Sequence, residues 1–307
     1  MIRTVRVAFV AGGLLLATLL AATSGAREAA NLPAPAAGTE ATGTGSGKLV
    51  LVVCAPGYPG NTLDAQSTMN GFARAATKAA GWPDGRLQAV YHETLEEGVE
   101  RLAGTDAVLA LIPLPLYLQY AAELDLRPVL DVEKDSGDKE IWSLVARKGA
   151  IASPASLSDW ELTGMPGYAP GFVRGPVLGN WGNLPESVRI TFSGRVLSAL
   201  RRADSGEPVA VLLDRAQADS LASLPFAAEL EVIHRSQPLT AILLCAVGSR
   251  LAEADSEALT AGLVALHKSA EGREVLASMQ MKRFRPLDRK ALQRAEASYQ
   301  STPPGGH

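Results

Sequence analysis

The chain has 307 residues, 47% of them hydrophobic, 20% charged and 5% aromatic. This is enough apolar chain for one large or two medium domains with a real core, and it excludes wholesale disorder, a collagen-like fibre and a disulfide-stapled miniprotein. The 29 basic residues are balanced by 32 acidic ones, for a net charge of −3. That balance, with no basic stripe, argues against a nucleic-acid partner and leaves a small molecule or a protein.

Arg3 and Arg6 precede the uncharged apolar run Val7 to Ala22, and Ser24 and Ala26 stand where small residues flank a cleavage point. Residues 1–26 therefore read as a cleavable secretory signal peptide, the alternative being a retained anchor. Residues 27–47, rich in Ala, Gly, Pro, Thr and Ser without periodicity, read as a flexible leader. Gly43 to Lys48 (GTGSGK) imitates a phosphate loop, but Thr42 and Leu49 break the pattern and the segment precedes the first strand instead of following it.

From Leu49 strands and helices alternate. Strands are expected at 49–54, 87–91 and 107–112, and helices at 63–80, at 94–103 with Thr94 and Glu97 in capping-box spacing, and from Pro113 to about Glu123. Strands at 128–132 and 141–147 flank a polar turn, and 156–160 reads as a single helical turn. The eight glycines and prolines between Gly164 and Gly179 predict an irregular stretch. Helix is expected at 193–203 and 216–222, strand at 208–213, 229–234 and 240–247, and helix at 256–268, 271–279 and 287–298. The basic residues Lys282, Arg283, Arg285, Arg289, Lys290 and Arg294 read as a solvated charged face.

This order implies an α/β protein of two lobes, each a mostly parallel sheet flanked by helices, with a hinge between them. The first lobe takes 48–147 and 238–300, the second 148–237, and 301–307 is expected as a disordered tail. Ligands of open α/β sheets sit at the carboxyl ends of the strands, so the cleft between lobes is the expected site.

Three stretches carry a family likeness: Ala155 to Gly164 (ASLSDWELTG), Ser205 to Val211 (SGEPVAV), and Ser269 to Leu276 (SAEGREVL) followed by Met281, Phe284 and Pro286. In this order and spacing the chain resembles the phosphate, phosphite and phosphonate branch of the type II periplasmic solute-binding proteins of ABC importers. The resemblance implies the type II fold, a periplasmic location, capture of a small, anionic solute without catalysis or cofactor, and delivery to an ABC permease by a monomer. It also implies a phosphoryl group held by N–H groups and hydroxyls at a helix N-terminus. The corresponding segment here, Thr163 to Phe172, keeps a Tyr and Pro but lacks the run of hydroxyls.

Candidate ligand contacts are Tyr58 and Asn61 after the first strand, Tyr117 after the third, Tyr168 and Arg174 in the Gly/Pro-rich stretch, Asp214 and Gln217 after the strand ending at Leu213, and Ser236 near the return crossing. Each has a plain structural reading as well: turn chemistry for Asn61, a surface guanidinium for Arg174, a helix cap for Asp214. No metal-ligand spacing joins His92, His234, His267 and His307, and no catalytic motif appears. Cys54 and Cys245, the two cysteines, lie in apolar strand-like runs and could be bridged or buried as free thiols. Two other readings stay open: a sensory or accessory protein of the same fold that partners a membrane kinase, and an enzyme in which Cys54 would be the one candidate nucleophile.

Overall fold

The computed structural model describes residues 48–57 and 62–302. The signal segment 1–26, the leader 27–47, Tyr58, Asn61 and residues 303–307 lie outside the described residues. Among the described residues no helix is long and apolar enough to cross a membrane.

Strand β1 (Leu49–Cys54) is a run of apolar residues, half of them β-branched and five of them buried. It is followed by α1 (Thr62–Ala79) and then by β2 (Leu87–His92), whose alternating burial marks an edge strand with one face on the core. Helix α2 (Leu95–Ala103) is capped by Thr94, whose Oγ1 accepts a hydrogen bond from the Glu97 N–H, as the spacing predicts. The seven residues of β3 (Ala107–Pro113) are all buried, which identifies a central strand. Helix α3 (Leu114–Tyr120) has Pro115 in its first turn, where a missing N–H costs nothing, and leads to β4 (Leu126–Lys134).

The chain then crosses to a second sheet. Strand β5 (Ser143–Arg147) pairs antiparallel with two strands there, so these residues, expected with the first lobe, belong to the second. An apolar run of this kind reads the same in either lobe, and only the pairing decides. After a 3₁₀ turn at Pro154–Leu157 comes β6 (Glu161–Gly164).

The Gly/Pro-rich stretch is helical, contrary to expectation: a 3₁₀ turn at Met165–Tyr168, the single turn α4 (Pro170–Phe172) and a π turn at Val173–Val177. Pro166 and Pro170 occupy first-turn positions, so they start turns instead of breaking them. Next come β7 (Arg189–Phe192), which the sequence pattern does not reveal, and α5 (Val196–Asp204). Buried β8 (Val209–Leu213), α6 (Arg215–Ser220) and β9 (Leu230–Arg235) complete the lobe.

The return crossing delivers β10 (Ile242–Val247), α7 (Glu253–Leu266), α8 (Ala270–Ser278), β11 (Met281–Pro286) and α9 (Arg289–Gln300). The first sheet has six strands in the order β11-β4-β10-β3-β1-β2, and the second has five, β7-β6-β8-β5-β9. Both are mixed, with most strands of each running in one direction. β1, β2 and β3 run parallel, as do β6, β7 and β8, while β10 and β5 are antiparallel to their neighbours. β5 and β10 arrive from the other lobe without the crossover helix that would orient them parallel.

The two crossings are paired. Glu140 and Leu239 exchange backbone hydrogen bonds of 2.8 and 2.9 Å, and the Ser236 N–H donates to the Trp142 carbonyl at 2.9 Å. One apolar cluster fills the outer face of the first sheet against α1, α7 and α8, another the outer face of the second sheet against α5. A third is continuous from Val52 and Leu114 in the first lobe through Trp142 and Phe172 to Leu212 in the second.

β11 corrects the reading of the basic cluster. Its Arg285 reaches the Asp131 carboxylate at 3.0 Å, and Lys282 and Arg283 reach Glu133 at 2.9 and 2.7 Å, both carboxylates lying buried on β4. Lys282 and Arg283 stay exposed while making these bonds, as do Arg289, Lys290 and Arg294 on the last helix, so of the cluster only Arg285 is half-buried. Ser301 and Thr302, expected in the tail, continue the last turn of α9 through bonds to the carbonyls of Ala297 and Tyr299.

Helix α9 leaves the first sheet and seats on the second lobe. Gly171 and Gly175, four residues apart, let it approach. A Cβ on Gly171 would stand 2.9 Å from the Tyr299 ring, and one on Gly175 would stand 2.6 Å from the Ser298 carbonyl oxygen.

Candidate functional site

The carboxyl ends of β1, β3 and β6 face the two crossings and form a cleft between the sheets. Pro56 follows β1, Pro113 and Pro115 join β3 to α3, and Met165, Pro166, Tyr168 and Phe172 follow β6, while Glu140, Trp142, Thr240 and Ala241 come from the crossings. The cleft encloses about 20 Å³, room for a single water. Trp142 and Phe172 close it edge to face with ring centroids 6.3 Å apart, and Tyr168 packs in the same manner on Phe192 at 6.1 Å.

Two polar groups mark the hinge side. Glu140 is buried and accepts from the Lys134 ammonium at 2.9 Å and from the Arg215 backbone N–H at 2.7 Å. Thr240 is 2% exposed, and its Oγ1 has no hydrogen-bond partner. A buried hydroxyl without a partner costs stability, so its position facing the cleft singles it out as a donor to whatever enters.

The sequence candidates distribute unevenly. Tyr168 lines the cleft. Tyr117 does not: it is buried on α3 with its hydroxyl donating to the Glu296 carboxylate on α9 at 2.7 Å. Burial, then the Glu296 hydrogen bond and charge, push its ionisation up. Arg174 donates to the carbonyls of Leu184, Pro185 and Val188, at 3.4, 3.1 and 3.1 Å, and so fastens a loop. Burial lowers its pKa from the usual guanidinium value.

Asp214 and Gln217 form a reciprocal capping box on α6, with bonds of 2.8 and 3.1 Å, and burial raises the Asp214 carboxyl. Ser236 accepts from the Trp142 N–H at 3.0 Å and donates to the Gln237 carbonyl at 2.8 Å, which makes it a crossing residue. Tyr58 and Asn61 are outside the described residues. Glu140, Trp142 and Thr240 escape sequence reasoning, because they become cleft residues only once both crossings are placed.

Cys54 and Cys245 are both free and buried. The Cys54 thiol donates to the Thr94 carbonyl at 3.4 Å, and burial, aided by Glu96 and Glu97, pushes its pKa up to about 12. A thiol so protonated at neutral pH does not carry the nucleophile reading. Among the described residues no cluster of His, Cys, Asp and Glu could hold a metal ion.

The family described as the periplasmic substrate-binding protein of phosphonate ABC transporters matches residues 86–292. No curated protein matches the sequence. Among solved structures, a Xanthomonas citri protein bound to chloride superposes with a TM-score of 0.65 at 16% identity, covering 82% of this chain and 97% of that one. PhnD1 from Prochlorococcus marinus, in complex with methylphosphonate, gives 0.58 at 18% identity over 82% and 97% of the two chains. A binding-protein component of an ABC phosphonate transporter from Pseudomonas aeruginosa gives 0.57 at 15% over 83% and 87%. These likenesses agree with the two-lobed α/β architecture, and the family match over most of the chain fixes its kind: the protein belongs to the periplasmic substrate-binding proteins of phosphonate ABC transporters, which bind solutes for import.

Proposed function

We propose that this chain, as a monomer freed of residues 1–26, captures a small oxyanion of the phosphonate or phosphate kind between its two sheets and passes it to an ABC permease. The observation that supports this reading is the convergence at one cleft of loops from the carboxyl ends of β1, β3 and β6 with both crossings. No Lys or Arg lines that cleft among the described residues. The anion would be met by neutral donors: the hydroxyls of Tyr168 and Thr240 and the first N–H groups of α1, an 18-residue helix that begins beyond the carboxyl end of β1.

Four of the lining residues are prolines, which bring no N–H, and the carboxylate of Glu140 is already paired with Lys134. A dianion would be costly to desolvate there, so the singly charged form is favoured. Because the cleft holds about 20 Å³, the solute enters when the lobes part and is enclosed when they meet.

Isothermal titration of the mature chain with methylphosphonate, phosphite, phosphate and sulfate tests this. Saturable heat with a phosphorus oxyanion, stronger at the acidic end of the profile, is the expected result. Binding of neutral polar solutes with none by any oxyanion would overturn the anion assignment. Light scattering and intact mass check the monomer and an N-terminus at Arg27.

A further inference from the structure

A second cavity lies wholly within the first lobe, on the α1 side of the sheet. It encloses about 300 Å³ at the carboxyl ends of β1 and β3, between α1 and the turn from α8 into β11. This equals the liquid volume of about ten waters and falls at the small end of ligand sites. Met69, Met279 and Met281 converge on it together with Ile112 and Ile242, and no charged residue lines it among the described residues. Three of the chain's five methionines thus share one cavity.

Thioether side chains are unbranched, polarisable and adaptable, and they make favourable contacts with aromatic rings. Thr68, Ser278 and Gln280 supply the polar edge.

Gln280 gives an independent sign. It stands at φ +56°, the left-handed region that glycine or asparagine usually fills after a helix, and its N–H closes the end of α8 on the Ala277 carbonyl at 3.0 Å. A residue other than glycine held there against backbone preference is uncommon, and this one stands in the lining of the cavity.

We infer that this cavity binds an uncharged, mainly apolar small molecule carrying one hydrogen-bonding group, with its apolar body among the methionines and its polar end toward Thr68, Ser278 and Gln280. The described lining carries no charge and few polar groups, which favours an uncharged molecule; the cavity shares only Pro113 with the interlobe cleft among the described lining residues, so the site does not depend on how that cleft is used. Burial of apolar surface would drive binding, and the polar edge would orient the molecule.

The methionines themselves are the reporters. The protein is labelled at the methionine methyl carbons, with signals assigned by single Met→Leu variants, and titrated with p-cresol; p-toluenesulfonate serves as the charged counterpart. The expected result is saturable shifts of Met69, Met279 and Met281 with p-cresol only, while Met165, which lines the interlobe cleft, stays in place. Ala65→Phe, which places a ring in the cavity, should abolish those shifts while leaving a cooperative melt. If the variant fails to fold, Thr68→Leu together with Ser278→Leu removes two groups of the polar edge and should weaken binding at least tenfold.

No saturable shift, shifts at Met165 alone, equal binding of the sulfonate, or shifts undiminished in the variants would overturn the proposal. Methylphosphonate titrated into the same sample reports on the cleft through Met165, so failure of either reading is seen separately.

Discussion

Gly175→Ala tests whether α9 is held against the second lobe as described. In an unpacked helical turn, replacing Gly by Ala stabilises by about 0.4–1 kcal/mol through backbone entropy. At Gly175 the new methyl would stand 2.6 Å from the Ser298 carbonyl oxygen, and Thr302 is also in its way. An ordinary contact for that pair begins near 3.4 Å, so the last turn of α9 must retreat by roughly 0.8 Å. Overpacking of this kind costs about 1–3 kcal/mol. Against the intrinsic gain the net loss is roughly 1–2 kcal/mol, or several degrees in Tm for a chain of this size.

Urea denaturation followed by tryptophan fluorescence gives the difference. Thr302→Ala in the same background should recover part of it, because one of the two obstacles is gone. The sign decides the matter: unchanged or raised stability in Gly175→Ala would mean that α9 does not press on this turn.

Arg174→Ala should destabilise by about 1–2 kcal/mol, since three carbonyl contacts are lost, and leave solute affinity within twofold; a tenfold loss of affinity at constant stability would return Arg174 to the ligand site. Thr240→Val keeps the shape and removes a buried hydroxyl without a partner, so the ligand-free protein should gain up to about 1 kcal/mol while solute binding weakens; a loss of stability would contradict the assignment. The Asp288 carboxyl is held below the usual carboxylate range by its bond to Lys139 at 2.8 Å and by the Ala291 N–H. Its contribution is therefore present above the ordinary carboxylate pKa and lost as pH falls through the lowered one. Asp288→Asn keeps the cap but not the ion pair. With Asp288 42% exposed, screening limits the change to roughly 0.5 kcal/mol, seen as a shallower acid limb of stability; an acid limb identical to that of the parent chain would refute the link.

Features written in a few neighbouring residues were legible from the sequence. The apolar runs of β1 and β3, the Thr94 cap and the family stretches beginning at Ala155, Ser205 and Ser269 needed no partner to be recognised. β11 was not legible, because a strand carrying Lys282, Arg283 and Arg285 makes sense only opposite Asp131 and Glu133, about 150 residues earlier in the chain. Two of the glycines after β6 misled for the same reason: Gly171 and Gly175 are small on account of α9, not because the chain is irregular there. Tyr117 and Arg174 were chosen for their chemistry, and each spends it on a structural bond. The cleft residues Glu140, Trp142 and Thr240 depend on the register of two crossings that pair with each other.

The course of α9 has a kinematic consequence. Two paired crossings define an axis about which one lobe can swing on the other. A third attachment away from that axis, tied to α3 through Tyr117 and Glu296 and seated on Gly171 and Gly175, takes that rotation away while it is in place. A rotation of one lobe about the crossings would therefore have to break the contacts of α9 with Gly171 and Gly175 or its bond to Tyr117.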